Sequence, residues 1–356
     1  MALVYAASCT GEGPTLMGRL VVTWVLGVAL QVTSSAAATE KRFEFTQTEM
    51  AVPVRIVLYA TDDTTAAAAA GAAFSRFHDL NASMSDYDPQ SELRRLCDTS
   101  SEGKPVHVSG DLWRVLVRSI ELSERSNGAF DITVGPVVHL WRNARRTKEL
   151  PSPKSIEAAL SRVGYRWVRL HPEQHAVELL RAKMRLDLGG IAKGYAVDEA
   201  LKAMRKRGIT RAMVEAGGNI GLGDPPPDRP GWRIGIAPPD AHSPARQYLS
   251  LSRVAISTSG DLWQYAVIGG VRYSHLIDPH TGMALTDHSS VTVVGPDGLS
   301  SDGLSSAVAI LGPEKGLKLV ENTPAAAAFI VRMVGDQEHT YQSRSWKEVE
   351  KQADRR

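Results

Sequence analysis

The chain has 356 residues, 43% of them hydrophobic, and two cysteines, the balance of a folded protein and not of a disordered one. Its 41 basic residues against 39 acidic ones leave a formal charge of +2. That excess is too small to neutralise a phosphate backbone, so no nucleic-acid partner is expected, and two cysteines exclude a thiolate zinc cluster or a disulfide scaffold.

Arg19 precedes the apolar run Leu20 to Val32, and Ser34-Ser35-Ala36-Ala37-Ala38 supplies small residues that a signal peptidase accepts. Residues 1–38 therefore read as a secretory signal peptide, with an uncleaved anchor as the alternative. The run falls short of the ~20 apolar residues of a spanning helix. Met17 offers an alternative start. The expectation is an exported protein, periplasmic or attached to the outer face of the inner membrane, in which Cys9 leaves with the signal and Cys97 is the only thiol.

Val54 to Ala60 reads as a strand and the Ala-rich stretch Thr64 to Leu80 as a helix. A second helix is predicted over Asp111 to Arg125, and Ser152-Pro153 opens a third, with Ile156, Leu160 and Val163 at helical spacing. Arg166 to Leu170 and Ala176 to Leu180 pair as strands. From about Ile191 a helix runs through Val197, Ala200, Leu201 and Met204 to Gly208. Further strands are expected at Ala212 to Glu215, Trp232 to Ile236, Tyr248 to Ile256, Arg272 to Ile277, Val291 to Val294 and Ala328 to Met333. The proline-rich Asp224 to Gly231 must be a loop, and a lobe boundary is expected there. Mixed strands and helices give an α/β or α+β class.

Four segments carry candidate chemistry. In Leu186 to Asp198 (LDLGGIAKGYAVD) a glycine pair precedes a helix start, where free N–H groups and Lys193 suit a phosphate; the alternative is a tight turn with a solvated lysine. Glu215-Ala216-Gly217-Gly218-Asn219 follows a strand and reads most simply as a turn or bulge. In Ser301 to Ala307, Asp302 reads as a helix N-cap with Ser305 and Ser306 one turn later. One carboxylate with hydroxyls offers hard oxygen ligands for Mg²⁺ shared with a pyrophosphate. His275 and Asp278 stand at a strand end before a Pro-containing turn, where an acid or base can be presented. Serine-hydrolase elbow and zincin motifs are absent.

Taken in order, these segments resemble the FAD:protein FMN transferases, the ApbE family. The resemblance also rests on Met84 to Leu93 (MSDYDPQSEL), Ser126 to Pro136 (SNGAFDITVGP), Ser274 to Gly282 and Leu311 to Lys315. It implies an α+β fold of mixed sheets with packed helices, a T-fold-like two-lobed catalytic unit over residues 39–356. It implies transfer of FMN from FAD, with Mg²⁺, to a Thr or Ser hydroxyl of a target flavoprotein, releasing AMP. By position the metal ligands would be Asp302, Ser305 or Ser306, and the Gly190 carbonyl. Flavin contacts would come from Met50, Tyr87, Ala129, Phe130, Asp131, Asp187, Lys193 and Ile277. His275 would be the base.

Three departures from the family pattern stand out: Ala51-Val52 after Met50, where the family has Gly-Thr; Gly303 and Ser306 for Ala and Thr; and the acidic Asp86 before Tyr87. No segment resembles the family's Asp-x-x-[Ser/Thr]-Gly-Ala-[Ser/Thr] target, so the acceptor is expected in trans, a membrane electron-transport subunit or a periplasmic FMN-binding domain. The rival readings are an FAD pyrophosphatase giving FMN and AMP, and a non-catalytic flavin-binding protein.

Overall fold

A computed structural model describes residues 39–99, 104–236, 245–261, 264–335 and 337–351. The signal-peptide reading, with Cys9, Met17 and Arg19, lies outside the described residues.

The order begins with a hairpin, β1 (Lys41–Glu49) and β2 (Val52–Ala60), of which the sequence pattern revealed only the second strand. Glu49 pairs with Val52, so Met50 and Ala51 make a two-residue turn. Both have positive φ, 47° and 61°, as a type I′ turn requires. In α1 (Asp63–Met84) the Asp62 side chain caps the Thr65 N–H. Its buried stripe of Ala66, Ala69, Ala70, Ala73, Phe77 and Leu80 keeps helical spacing, and the small members let a second helix lie close.

Next come α2 (Glu92–Thr99), β3 (Val106–His107) and α3 (Gly110–Arg125), the last capped by Ser109. Cys97 is buried in α2, where its sulfur accepts the Leu186 N–H at 3.3 Å. α4 (Gly135–Thr147), absent from the sequence reading, has Pro136 in its first turn, and α5 (Pro153–Leu160) follows its Ser152 cap. β4 (Val168–His171) and β5 (Ala176–Leu179) pair as expected, although a 3-10 turn takes the start of the first segment. α6 (Ala192–Arg205), β6 (Ala212–Ala216), β7 (Asn219–Leu222), β8 (Trp232–Ile236), β9 (Gln247–Leu251) and β10 (Ala255–Gly260) follow. The strand expected over Tyr248 to Ile256 is thus two strands in different sheets, because Arg253, at φ 55°, turns the chain between them. The remainder is β11 (Tyr265–Ile268), β12 (Val271–Ser274), β13 (Ser289–Gly295), α7 (Gly298–Glu321), β14 (Ala327–Val334), β15 (Gln337–Gln342) and α8 (Trp346–Glu350). β12 stops at Ser274, short of the expected end, and Ile277 makes only an isolated bridge with Ala284.

Eight strands form one antiparallel sheet in the order β1-β2-β6-β7-β10-β13-β14-β15. Strand side chains alternate between faces, and both faces are covered. Val54, Ile56, Leu58, Val214, Val291 and Val293 share a core with α1, α6 and α7. Val57, Met213, Ile256 and Val294 pack instead with Trp232, Ile234 and Leu249 of the β8–β9 hairpin and with Trp346 of α8. A third, smaller core joins α4 and α5 to the β11–β12 hairpin through Val137, Trp141, Ala159, Ala266, Ile268 and Tyr273. There the Trp141 indole N–H donates to the Gly282 carbonyl at 2.8 Å. Thr39 onward forms one compact unit, and the proline-rich stretch 224–231 links β7 to β8. The class is α+β.

Candidate active site

The segment around Asp302 contains one pentapeptide twice, Asp-Gly-Leu-Ser-Ser at 297–301 and again at 302–306. The helix is capped by the first copy and not by Asp302 as the sequence reading had it. Asp297 accepts the Ser300 N–H at 2.7 Å, and Asp198 of α6 accepts those of Gly298 and Leu299 at 2.7 and 2.9 Å. Asp302 therefore lies inside α7, with Ser305 and Ser306 at i+3 and i+4 on its own face.

That face is buried against β10 and the start of α6. Asp302 is 4% exposed, and its Oδ2 accepts the Gly194 N–H at 2.9 Å. Gly194 is required here, since a Cβ would lie 2.0 Å from the Gly298 carbonyl oxygen and 2.7 Å from the Asp302 Cβ. Ser257 donates to Asp302 Oδ1 at 3.5 Å, and the Asn219 amide also bonds the carboxylate. The Ser305 hydroxyl donates to the Asp302 carbonyl at 2.9 Å and lies 3.1 and 2.7 Å from the Ser257 and Ser259 hydroxyls. The Ser306 hydroxyl points to the Gly190 carbonyl at 3.5 Å. Burial pushes the Asp302 carboxyl up, while Lys193 and its hydrogen bonds pull the other way.

Because Gly194 gives its N–H to Asp302 and Ala192 gives its own to Leu188, the first turn of α6 is not the free phosphate cradle that the glycine pair suggested. The glycines serve close approach instead. A Cβ on Gly190 would stand 3.0 Å from the Ser306 hydroxyl and 3.4 Å from the Phe130 ring. Lys193 donates to the Gly189 carbonyl at 2.7 Å, and its charge bears on Asp187, His275 and Asp302 alike.

His275 follows β12. Its backbone N–H and its Nδ1 both reach the Gln264 carbonyl, at 3.1 and 3.2 Å. A carbonyl accepts only from a protonated Nδ1, which leaves Nε2 as the lone-pair nitrogen. Burial, and then Lys193 and Arg145, lower the imidazole to about 4, so it is neutral at pH 7.

The opposite end of the site is held by charge. Arg142 of α4 bonds both Asp86 and Asp187, the latter at 2.9 Å, and its guanidinium lies 4.0 Å from the centre of the Tyr87 ring. Asp86, the unusual acid before Tyr87, thereby has a partner. Burial first, then Asp86, push the Asp187 carboxyl up, and Arg142 opposes them.

Ala129 and Phe130 are buried, the latter against Gly190. The Asp131 carboxylate is used locally, by the Thr133 N–H and hydroxyl at 2.8 and 2.6 Å and by the Tyr165 N–H at 2.8 Å. Ile277 is buried in the third core. Met50 packs on the first core from the β1–β2 turn, and Val52 beside it touches the Gly217 turn that leads to Asn219. The sequence reading missed Arg142, Ser257, Ser259 and the role of Asn219. The two serines carry a signal, since Ser257-Thr258-Ser259 puts both hydroxyls on one strand face, but the sequence pattern ends the strand at Ile256.

The residues fit a hard divalent cation. All the donors at Asp302, Ser306 and Gly190 are oxygens, the chemistry Mg²⁺ prefers, and the buried Asn219 Oδ1 near them has no partner. Among the described residues no group of three His, Cys, Asp or Glu could hold a metal. A cation here would thus need substrate oxygens to complete its shell.

A model of the ApbE family matches residues 50–330. The FAD:protein FMN transferase of Haemophilus influenzae is 32% identical over 261 residues, 71% of this chain and 75% of its own. That of Treponema pallidum is 35% identical over 243 residues, 64% and 67% of the two chains. The flavin transferase ApbE of Vibrio cholerae superposes with a TM-score of 0.78 at 28% identity, over 87% of this chain and 99% of its own. The flavinyl transferase ApbE of Pseudomonas stutzeri gives 0.77 at 29%, over 87% and 97%. In sequence, fold and the order of its site segments, this chain belongs to the ApbE family.

Proposed function

We propose that this protein transfers FMN from FAD to a Thr or Ser hydroxyl of a separate flavoprotein, in a Mg²⁺-dependent reaction that releases AMP. The observation that carries the reading is the buried oxygen cluster of Asp302, Ser306 and Gly190, with Lys193 acting on both Asp302 and a neutral His275. A pyrophosphate is the kind of ligand that a cation, an ammonium group and an adjacent base serve together.

When bound, Mg²⁺ would supply positive charge to the phosphate oxygens. Asp302 would hold it, with the Ser306 hydroxyl and the Gly190 carbonyl beside it. Lys193 offsets further phosphate charge. His275 Nε2 accepts the proton of the acceptor hydroxyl, whose oxygen bonds the FMN-side phosphorus while the P–O bond to AMP breaks and AMP leaves with the electron pair.

The low pKa of His275 has a consequence for the rate. Lys193 and Arg145 help depress it, and a bound pyrophosphate would cancel part of their field and raise it towards the ordinary 6.5. The acid limb of kcat/KM, which reports the free enzyme, is expected near pH 4, and that of kcat at higher pH. Coincident limbs near 6.5 would remove His275 from this role. The same depression makes folding stability fall as pH drops from about 6.5 towards 4, because the unfolded state then binds the extra proton.

The decisive experiment incubates the protein with FAD, Mg²⁺ and an FMN-binding acceptor domain, then weighs the acceptor and assays AMP. Covalent FMN with matching AMP is expected. An unmodified acceptor with intact FAD sinks the reading, and free FMN despite abundant acceptor would replace it with FAD hydrolysis. Export, and an acceptor in the same compartment such as a membrane electron-transport subunit or a periplasmic FMN-binding domain, belong to the same proposal.

A further inference from the structure

Tyr87 is 73% exposed, the most exposed large hydrophobic residue among the described residues. Exposed tyrosines usually sample several rotamers. The Arg142 guanidinium stands over this ring, 4.0 Å from its centre, and most of the residue is open to solvent. Arg142 cannot follow a wandering ring, because two carboxylates fix its plane. Asp86 holds one nitrogen and Asp187 the other at 2.9 Å, and the three side chains are only 27%, 18% and 10% exposed. Asp187 is tied in turn to the Gly189 N–H at 2.8 Å, and the Gly189 carbonyl to Lys193 at 2.7 Å. A continuous line of polar contacts therefore runs from the Tyr87 ring to the ammonium group beside the oxygen cluster.

We infer that Arg142 is a positioning residue that holds Tyr87 as a preset platform for the flat ring system of the flavin, at a fixed offset from the site that takes the pyrophosphate. The inference rests on the functional reading above and adds a residue that reading does not need. A guanidinium suits the task. It is planar, always charged, able to bond two carboxylates through separate nitrogens and to stack on an aromatic face at once. A lysine could form one ion pair but could not present a flat surface. Asp86 completes the device: with Asp187 it supplies the two anchors that fix the guanidinium plane.

The test compares ligands with and without the ring. Dissociation constants for FAD, by flavin fluorescence quenching, and for ADP, by competition, are measured on wild type, Arg142→Met, Arg142→Lys and Tyr87→Ala at one Mg²⁺ concentration. For Arg142→Met the FAD constant should rise about tenfold, the scale of a desolvated cation–π contact, with ADP changed less than about threefold. Arg142→Lys should fall between wild type and Met. In the Tyr87→Ala background, Arg142→Met should cost less than about threefold for FAD. Tyr87 is exposed, so that background keeps its fold and remains a readable control. Equal weakening of FAD and ADP would overturn the inference, since it signals general disorder. An unchanged FAD constant would overturn it too, as would a full tenfold loss in the Tyr87→Ala background. A wild type that binds ADP but not FAD would overturn the functional reading itself, a separate result from either.

Discussion

The two adjacent copies of Asp-Gly-Leu-Ser-Ser have the same composition and opposite uses. Five residues turn an α-helix by ~140° beyond a full turn, so matching residues of the two copies point in different directions, although both copies reach Gly194 and β10. The first meets α6 end-on. Asp297 caps Ser300, Gly298 lets the Gly194 backbone approach, and Ser301 returns its hydroxyl to the Asp297 carbonyl at 2.6 Å. The second faces the sheet, where Asp302, Ser305 and Ser306 meet Ser257, Ser259 and Gly190. The acids differ in their company as well. Burial pushes Asp198, the second acid at the cap, up to about 7, with Asp297 and Glu199 adding to the rise, whereas Asp302 has the Lys193 charge beside it. What a short motif does here depends on which side of the helix it occupies, and not on its letters.

The sharpest way to break this comparison is to neutralise each aspartate in turn. Asp302→Asn removes the one carboxylate of the oxygen cluster and should lower kcat for FMN transfer by about 10³-fold or more, the scale of losing a principal charge-stabilising group. Thermal unfolding without ligand should change by no more than about 2 kcal/mol, because the amide oxygen can keep the Gly194 N–H while the amide nitrogen turns to the Ser257 hydroxyl, which can rotate to accept. Retention of more than a tenth of the rate would show that the cluster is not the metal site.

The glycines should separate next, this time in stability. A Cβ at position 298 would sit 2.3 Å from the Gly194 backbone oxygen, which cannot retreat without parting α6 from α7. Gly298→Ala should therefore cost several kcal/mol, on the order of 3 or more, by forced overpacking. At Gly303 the nearest atom is the Leu122 Cδ2 at 2.6 Å, the tip of a side chain that can rotate. Some of that clash is offset by the ~1 kcal/mol helical advantage of Ala over Gly. Gly303→Ala should stay within about 1.5 kcal/mol of wild type in denaturant unfolding. The glycine at 303, which stands where the family has Ala, is thus the place where α3 packs. Equal costs at 298 and 303 would erase the distinction.

Much of this was legible in the sequence, for local reasons. The cap-then-proline start of α5, the Ala stripe of α1 and the alternation of β2 each depend on residues within one element. Asp302, Gly190 and Lys193 were readable because they sit in short segments whose order resembles a family. The failures share a different cause. Arg142 lies in a helix whose apolar residues face a small core shared with the β11–β12 hairpin, so its role depends on Asp86 and Asp187, 56 and 45 residues away. Ser257 and Ser259 escape the pattern because it ends the strand at Ile256, whereas Arg253 splits that stretch and β10 runs on to Gly260. The sequence pattern places the helix cap one copy late because both copies satisfy the same local rule, and Asp198, 100 residues before Gly298, favours the first.

The smallest expected effect tests the cap copy alone. Asp297→Ala removes the acceptor of the Ser300 N–H and should cost about 1 kcal/mol, the usual value of an N-cap. Asp198 would still hold the Gly298 and Leu299 N–H groups, so the helix start should loosen rather than melt. Because the second copy faces away from Asp297, kcat and the FAD constant should remain within about twofold of wild type. A loss of activity larger than the loss of stability would mean that the first copy reaches the oxygen cluster through the helix. The separation of cap from site would then be one of position only, with the two copies acting as a single mechanical unit.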